Sequence, residues 1–243
     1  SSHVGSRRSK FGWHALRQRP WRGAHTTASL GGKPLATMTH IVDTIRRAAA
    51  RSFTEVRSHF EAPPYCLRVN ERGALYSLRY DKGTSDFRSP VVRQARGIVL
   101  EKDTHRIVSW AFDKFYEYGE AAPSYRDRPN LRRSVDPGKV VRFEQKYDGV
   151  LIKVVRAAVE DDGLLVSTNG RVDAADAPVH GARGFSLRQV FREAGGFSLP
   201  YREGLCYAFE LLHPALSTVA PSANVALVHL FTRRLSGAFD ELP

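Results

Sequence analysis

The sequence predicts an α+β protein built on antiparallel sheets, with a basic extension at its N-terminus. Short runs rich in β-branched and aromatic residues recur along most of the chain, and turn signals separate them, which is typical of antiparallel strands. Only two or three segments have apolar residues at helical spacing. The chain has 243 residues, of which 42% are hydrophobic, so it can bury one large core or a medium core with an extension.

The extension, residues 1–38, is a basic arm rich in Arg and Ser. Residues 1–42 contain seven Lys or Arg and no acidic residue, and the first carboxylate is Asp43. This composition is similar to an organellar import segment, and it fits equally well an arm that contacts RNA phosphates and bases. A polar arm without periodicity cannot offset its own ordering entropy, so we expect a large partner to hold it. The candidate RNA-binding residues of the arm are Arg7, Arg8, Arg17, Arg19 and Arg22.

After the arm, we predict a helical segment at residues 39–60, because apolar residues such as Ile41 and Ile45 recur close to helical spacing. Its outer face is basic, so packing is the simplest role for it. Residues 61–243 are predicted as one domain. Its predicted elements are strand pairs within 65–83 and 96–112, a polar connector at 120–139, strands that flank residues 148–149, a strand at 163–171, a helix at 186–195, strands at 204–212 and 224–234, and a turn at 236–241.

The charge of the chain predicts a polyanionic partner. The net charge is +12, from 37 Lys and Arg against 25 Asp and Glu, and nucleic acid is the usual partner of so basic a protein. An anionic membrane surface is the alternative, although no apolar run is long enough to predict a membrane span. Cys66 and Cys206 have no metal-ligand spacing, so we expect ordinary thiols in a reducing, matrix-like compartment.

Lys146 stands in the stretch "FEQKYDGVLIK", residues 143–153, between two apolar runs. Asp148-Gly149 is a strong signal for a two-residue hairpin turn, because both central positions of the favoured turn need positive φ. This predicts Lys146 at the end of a strand, just before the turn. From this stretch alone, a solvated turn lysine is a better interpretation than a nucleophile.

Three other motifs change that interpretation. They are "ARGIVLE" at residues 95–101, "FDKFYEYGE" at 112–120 and "YAFELLHP" at 207–214. In this order and spacing, together with Lys-x-Asp-Gly, they resemble the adenylation domain of the phage RNA ligase 1-like family of ATP-dependent RNA ligases. The resemblance extends from about Tyr65 to the C-terminus. It implies an antiparallel-sheet nucleotidyltransferase domain at residues 61–243.

The resemblance also implies a chemistry and a set of site residues. Lys146 would be the catalytic nucleophile that attacks the α-phosphate of ATP, and the AMP would then pass to an RNA 5′-phosphate. Glu210 would bind the ribose or a metal ion, which makes ATP and Mg²⁺ the expected cofactors of an active site. Each residue taken singly also has a plain structural interpretation. The candidate nucleotide-binding residues are Arg96, Lys114, Tyr116, Asp148, Gly149 and Glu210.

Nucleophilic attack by Lys146 requires the neutral amine. A free lysine is almost wholly protonated at pH 7, and deprotonation costs roughly 4–5 kcal/mol. We expect a low-dielectric pocket to recover part of this cost. The apolar residues expected around that pocket are Val141, Phe143, Val150 and Ile152.

The sequence departs from the family pattern in three places. The Thr168-Asn169-Gly170 turn lacks the usual basic residue, and the later Glu-Gly strand has no counterpart. The family's Lys-x-Lys strand is also missing, since no lysine follows Lys153. Loss of one catalytic charge contact typically costs ~3–4 kcal/mol, so the combined losses predict a protein without useful turnover, or a fragment of a longer ligase.

We therefore expect a catalytically degenerate RNA-ligase-like protein, more a binding subunit than an enzyme. In this interpretation it is a structural or RNA-binding subunit of an organellar ribonucleoprotein, such as a mitochondrial ribosome, in the mitochondrial matrix. Its partners would be structured RNA, contacted along the backbone, and neighbouring proteins. The alternative is an active ATP-dependent RNA ligase that completes its site with further sequence or a partner. A third possibility is an accessory subunit of a membrane complex.

Overall fold

Two antiparallel sheets form the framework of the protein. The computed structural model describes residues 40–48, 52–116, 145–157, 163–174, 177, 186–216, 223–235 and 241–242. All of them lie in one unit that spans Thr37–Pro243. The basic arm at residues 1–38 and the polar connector at 120–139 lie outside these residues.

Within the described ranges the chain forms four helices and nine strands. The helices are α1 (His40–Ala48), α2 (Phe53–Glu61), α3 (Pro90–Gln94) and α4 (Leu187–Glu193), and a 3-10 turn follows at Gly196–Ser198. The strands are β1 (Leu67–Arg72), β2 (Leu75–Tyr80), β3 (Arg96–Glu101), β4 (Ile107–Ser109), β5 (Val150–Arg156), β6 (Leu164–Thr168), β7 (Leu205–Leu212), β8 (Ala226–Arg234) and β9 (Glu241–Leu242). The α+β class predicted from the sequence is confirmed.

The helical segment predicted at residues 39–60 contains two helices. Ser52 begins α2 with a capping box, in which its hydroxyl accepts from the N–H of Glu55 and the Glu55 carboxylate accepts from the N–H of Ser52. This reciprocal pair satisfies two of the unpaired N–H groups at the helix start. The short helix α3, which the sequence analysis did not predict, begins with Pro90 in its first turn, where proline costs no hydrogen bond.

The first sheet has the strand order β1-β2-β3-β4, with helices covering one of its faces. Its two hairpins match the predicted strand pairs, and Gly73 makes the first turn with φ +54°. Val56 and Phe60 of α2 pack against Tyr76 and Leu78 of β2 in the core beneath the helices. The opposite face of this sheet turns toward the second sheet.

The second sheet has the order β6-β5-β7-β8-β9. Alternation along the strands gives it two different faces. Ile152 and Val154 of β5 pack with Phe191 of α4 on the outer face. Val155 and Leu165 pack against Leu75 and Val99 of the first sheet on the inner face. The two sheets thus face each other across a shared core, and we call the face that each sheet turns toward the other its inter-sheet face. The layers of the protein follow in the order helices, first sheet, second sheet, helix.

One predicted turn differs from the structure. Neither Asp148 nor Gly149 has positive φ, so the two-residue hairpin is wrong. From Ile152 onward β5 pairs with β6 on one edge and with β7 on the other, which leaves no edge there for the preceding segment. The predicted terminal turn at residues 236–241 lies outside the described residues except for Glu241, which begins β9 and pairs with Arg233 of β8. No helix among the described residues is long and apolar enough to cross a membrane.

Candidate functional site

A β-bulge at Gly97 places the side chain of Arg96 on the inter-sheet face of the first sheet. Gly97 has φ +74°, and the β2–β3 register shifts at this point so that Arg96 pairs with Arg79. Ile98, the next residue but one after Arg96, packs under the helices, and regular alternation would place Arg96 there as well. The extra residue of the bulge changes its direction.

Close packing fixes the conformation of this bulge. A Cβ atom on Gly97 would lie 2.6 Å from the Cα of Asn169, so the Arg-Gly pair needs its glycine for space as well as for φ. The guanidinium of Arg96 stacks at 4.0 Å from the ring centre of Phe115 and at 6.0 Å from that of Phe112. Its Nη1 atom is buried and has no hydrogen-bond partner in the described part of the chain, which leaves a donor for an anionic ligand.

Glu210 of β7 lies on the inter-sheet face, opposite Leu151 in the strand register. Its Oε1 accepts a hydrogen bond of 3.0 Å from the N–H of Gly149. A Cβ atom on Gly149 would lie 2.4 Å from the carbonyl oxygen of Leu211. Gly149 is therefore needed because the chain passes close against β7, not because a turn needs positive φ.

The electrostatics of Glu210 show which charged groups surround it. Burial raises the pKa of its carboxyl, and the N–H of Gly149 opposes this shift. The charges of Lys146 and Arg96 also lower this pKa, whereas the charge of Asp148 raises it. Lys146, Asp148, Gly149, Glu210 and Arg96, which come from three separate parts of the sequence, are thus brought together at one end of the inter-sheet space.

Lys146 itself is exposed, at residues 145–148, which have no regular secondary structure. The strand predicted to end at Lys146 lies outside the described residues, whereas the exposure of Lys146 contradicts the prediction of an apolar pocket around it. Val150 is half-buried and Ile152 packs on the outer face with α4, while Val141 and Phe143 lie outside the described residues. Because β5 begins only at Val150, Lys146 is held near Glu210 by the chain that leads into the strand.

Lys114 and Tyr116 flank Phe115, which stacks on Arg96, on the chain segment that follows β4. The amine of Lys114 lies 4.3 Å from the ring centre of Tyr116 and donates to the carbonyl oxygen of Phe115 at 3.1 Å. The N–H of Lys114 donates to the carbonyl of Arg93 at 2.7 Å, which ties this segment to α3. Phe115 is 60% exposed and covers the guanidinium of Arg96 on the solvent side.

Lys153 is a buried residue of this region that the sequence analysis did not select. Its side chain is 0% exposed, and its amine donates a hydrogen bond to the carbonyl of Gly97 in the bulge. Burial lowers the pKa of the amine to about 8, Cys206 acts in the opposite direction, and Arg96 lowers it further. A charged residue at an inward position of the alternating strand "VLIKVVR" was the signal that could have identified it.

The remaining predictions concern metals and the arm. Within the described ranges no group of three His, Cys, Asp or Glu side chains could hold a metal ion. In the part of the chain that the structure describes, Asp148 and Glu210 supply carboxylates whose charges interact at the site. Both cysteines are free, as expected. The arm residues proposed to bind RNA, Arg7, Arg8, Arg17, Arg19 and Arg22, lie outside the described residues.

The fold and the site define an α+β protein with two facing antiparallel sheets and a lysine, carboxylate and arginine site between them. A family model described as RNA ligase matches residues 94–218, just over half of the chain. This stretch contains Arg96, Lys114, Lys146 and Glu210. The chain therefore belongs to the phage RNA ligase 1-like family, as the sequence motifs predicted.

Two curated proteins are similar to the chain. An RNA ligase of Rhodothermus phage RM378 is 25% identical over 189 residues, which cover 67% of this chain and 42% of that protein. A protein of Autographa californica nuclear polyhedrosis virus, assigned as a bifunctional polynucleotide kinase/RNA ligase, is 29% identical over 82 residues, 34% of this chain and 12% of that protein. The chain spans less than half the length of these relatives.

Proposed function

We propose that the protein binds ATP at one end of the inter-sheet space and that Lys146 accepts AMP, as the first step of RNA end joining. The two-sheet fold is then the nucleotidyltransferase fold. The observation that carries this proposal is the convergence of Lys146, Asp148, Gly149, Glu210 and Arg96 around one half-buried carboxylate. Membership of the RNA ligase family and the net charge of +12 support RNA as the acceptor.

The proposed step forms a bond from the Lys146 nitrogen to the α-phosphorus of ATP. The bond to the bridging oxygen breaks and pyrophosphate leaves with its electron pair. The neutral amine releases one of its two protons to solvent and keeps the other in the new N–P linkage. Arg96 can donate to a phosphate oxygen through Nη1, which has no partner among the described residues. A 5′-phosphate oxygen of RNA then takes the AMP from Lys146, and a 3′-hydroxyl displaces the AMP.

The carboxylates of the site suit Mg²⁺ that is shared with a nucleotide. Magnesium sites in phosphoryl-transfer enzymes use one or two protein carboxylates and complete the octahedron with phosphate oxygens and water. Glu210 and Asp148 are close enough for their charges to interact, so they would hold such an ion. When bound, Mg²⁺ neutralises negative charge on the phosphates.

A covalent labelling experiment tests the proposal. The protein is incubated with ATP that is radiolabelled at the α-phosphate and with Mg²⁺, and is then denatured. We expect label on the wild type and on a Lys82→Arg control, which replaces an exposed lysine of the β2–α3 loop. Lys146→Arg should carry no label, because arginine stays protonated and cannot attack.

A second candidate function follows from the exposure of Lys146. A lysine nucleophile is typically held in a desolvated pocket, and the exposure of Lys146 therefore favours a degenerate site whose surface binds RNA. The protein would then be a non-catalytic subunit of an organellar ribonucleoprotein in the mitochondrial matrix, with RNA and neighbouring proteins as partners. Absence of label from folded protein at high ATP concentration, together with unchanged RNA binding by Lys146→Ala, would favour this function.

A further inference from the structure

Three arginines form a row across the first sheet, on the face that looks toward the second sheet. Arg68 of β1 pairs with Arg79 of β2, and Arg79 pairs with Arg96 of β3. Directly opposed residues on antiparallel strands have their side chains on the same face, with Cβ atoms about 4.5–5.5 Å apart. The row therefore extends from the candidate site at Arg96 to the edge strand β1.

The row opens into a cleft of about 550 Å³. One wall is the inter-sheet face of β1 and β2, and the other is the turn that follows β6. The cleft is lined by Arg68, Asn70, Glu71, Arg72, Arg79, Gly170, Arg171, Val172 and Asp173. Arg79 of β2 lines the cleft, and Arg96 lies on the neighbouring strand β3. An extended ligand that fills the cleft would therefore lead to the candidate site.

Backbone and side-chain hydrogen bonds shape the wall formed by the turn. The Thr168 hydroxyl accepts from the N–H groups of Gly170 and Arg171, at 3.2 Å and 3.0 Å. The Asn70 amide donates to the carbonyl of Gly170 at 3.4 Å, which links the turn to β1. A Cβ atom on Gly170 would lie 2.9 Å from Nη1 of Arg79, so this glycine leaves room for the guanidinium.

Acidic residues neutralise only part of the positive charge in the cleft. Arg68 pairs with Asp81, and Arg72 pairs with Asp173 at 2.8 Å. Arg79 and Arg171 make no ion pair within the described ranges. Like charges directly opposite each other on a sheet destabilise it, so the row has a cost that an anionic ligand would offset.

We propose that this cleft binds the phosphate backbone of a 5′-phosphorylated single strand of RNA and directs its 5′ end toward Arg96 and Lys146. Arg79 and Arg171 contact the phosphates, and Asn70 and the turn set the width of the path. The proposal rests on the proposed function, since it assigns a binding surface for the RNA acceptor of the same site. Recognition is by charge and geometry, not by base sequence.

The test measures binding of a short 5′-phosphorylated single-stranded RNA by the full chain, by fluorescence anisotropy over a range of salt concentrations. Arg79→Ala/Arg171→Ala should weaken binding roughly tenfold and lower the slope of log affinity against log salt by about 1.4, from two phosphate contacts at about 0.7 each. The matched control is Arg202→Ala/Arg234→Ala, which removes the same charge from two exposed arginines, one just before β7 and one at the end of β8. The control should keep an affinity close to that of the wild type.

Two further measurements separate this inference from the proposed function. The thermal stability of Arg79→Ala/Arg171→Ala should equal or exceed that of the wild type, because a like-charge row is relieved; this excludes misfolding as the cause of weak binding. Its labelling by ATP without RNA should be unchanged. If both arginine pairs weaken binding equally, the cleft proposal is wrong even when Lys146 is labelled. If Lys146 is not labelled but only the cleft pair weakens binding, the proposed function alone is wrong.

Discussion

Lys153 places a charged amine in the centre of the inter-sheet core. Its amine meets the carbonyl of Gly97, and the neighbouring groups include Cys206 and Arg96. A buried ammonium is costly unless it is paired, and this one has a carbonyl rather than a carboxylate as its hydrogen-bond acceptor. We interpret Lys153 as a positioning residue, because it holds the carbonyl of the bulge that directs Arg96.

The lowered pKa of Lys153 predicts a pH-dependent stability. Its pKa is about 8 in the fold and 10.5 in the unfolded chain, so between these values the unfolded chain binds more protons and stability rises with pH. Lys153→Met removes this charge at similar volume. The free energy of unfolding of the wild type minus that of Lys153→Met should rise by about 2–3 kcal/mol from pH 8 to pH 10.

Chemical denaturation at a series of pH values measures this difference. Using the difference between the two proteins removes the contribution of Tyr76 and Tyr201, whose pKa values burial also raises. A difference that is constant over this pH range would show that Lys153 keeps an ordinary pKa in the folded protein.

At the scale of elements, the β2–β3 pair depends on the bulge at Gly97. Gly97→Ala would force a Cβ atom to 2.6 Å from the backbone of Asn169, at φ +74°. We expect a loss of about 1–3 kcal/mol in stability, in the range of a strained backbone position, and weaker ATP labelling because Arg96 is displaced. Gly73→Ala is the matched control, since Gly73 also has positive φ but nothing lies within 4 Å of its Cβ position.

Thermal or chemical denaturation of both variants gives the comparison. The control experiences only the cost of positive φ, so the excess loss in Gly97→Ala reports the packing of the bulge on the turn after β6. Equal losses in the two variants would mean that this contact does not hold the bulge.

Local sequence signals predicted the elements better than their arrangement. The β1–β2 and β3–β4 hairpins and α4 have clear turn residues and periodicity, and all are observed. The Asp148-Gly149 signal failed because glycine is required at position 149 by close contact with Leu211, a residue far away in sequence, and not by a turn. The bulge at Gly97 was missed for the same reason, since Asn169 requires it.

In the candidate site, too, some residues could be predicted from sequence motifs and others depend on contacts between distant parts of the chain. Motif order selected Arg96, Lys146 and Glu210, which the structure brings together. The sequence pattern does not indicate Lys153 or Arg79, because their roles depend on which face of a sheet meets which neighbour. Strand register across Arg68, Arg79 and Arg96 becomes visible only when the pairing of β1, β2 and β3 is known.

At the scale of the whole molecule, the charge of +12 predicts binding to RNA that depends strongly on salt. The arm would add phosphate contacts to those of the cleft. Arg17→Ala/Arg19→Ala/Arg22→Ala should lower the salt slope for single-stranded RNA by about 2, from three contacts at about 0.7 each. Anisotropy titrations measure this slope, and an unchanged slope would show that the arm does not contact RNA.

The arm and the cleft can be separated by combining variants. If both bind the same RNA strand independently, the combined variant should show the sum of the two changes in slope. ATP labelling of Lys146 without RNA should stay unchanged in the arm variant, because the arm has no part in the proposed transfer to lysine. Loss of that labelling would assign the arm to the nucleotide site.

We propose that Lys146, and not the buried Lys153, accepts AMP. The most direct test is to incubate the protein with ATP and Mg²⁺, digest it, and locate any AMP adduct by fragment-ion sequencing of the peptides that contain these two lysines. We predict an adduct on Lys146 alone, because it is exposed beside Glu210 whereas Lys153 is enclosed in the core. An adduct on Lys153, or none from folded protein, would contradict the claim.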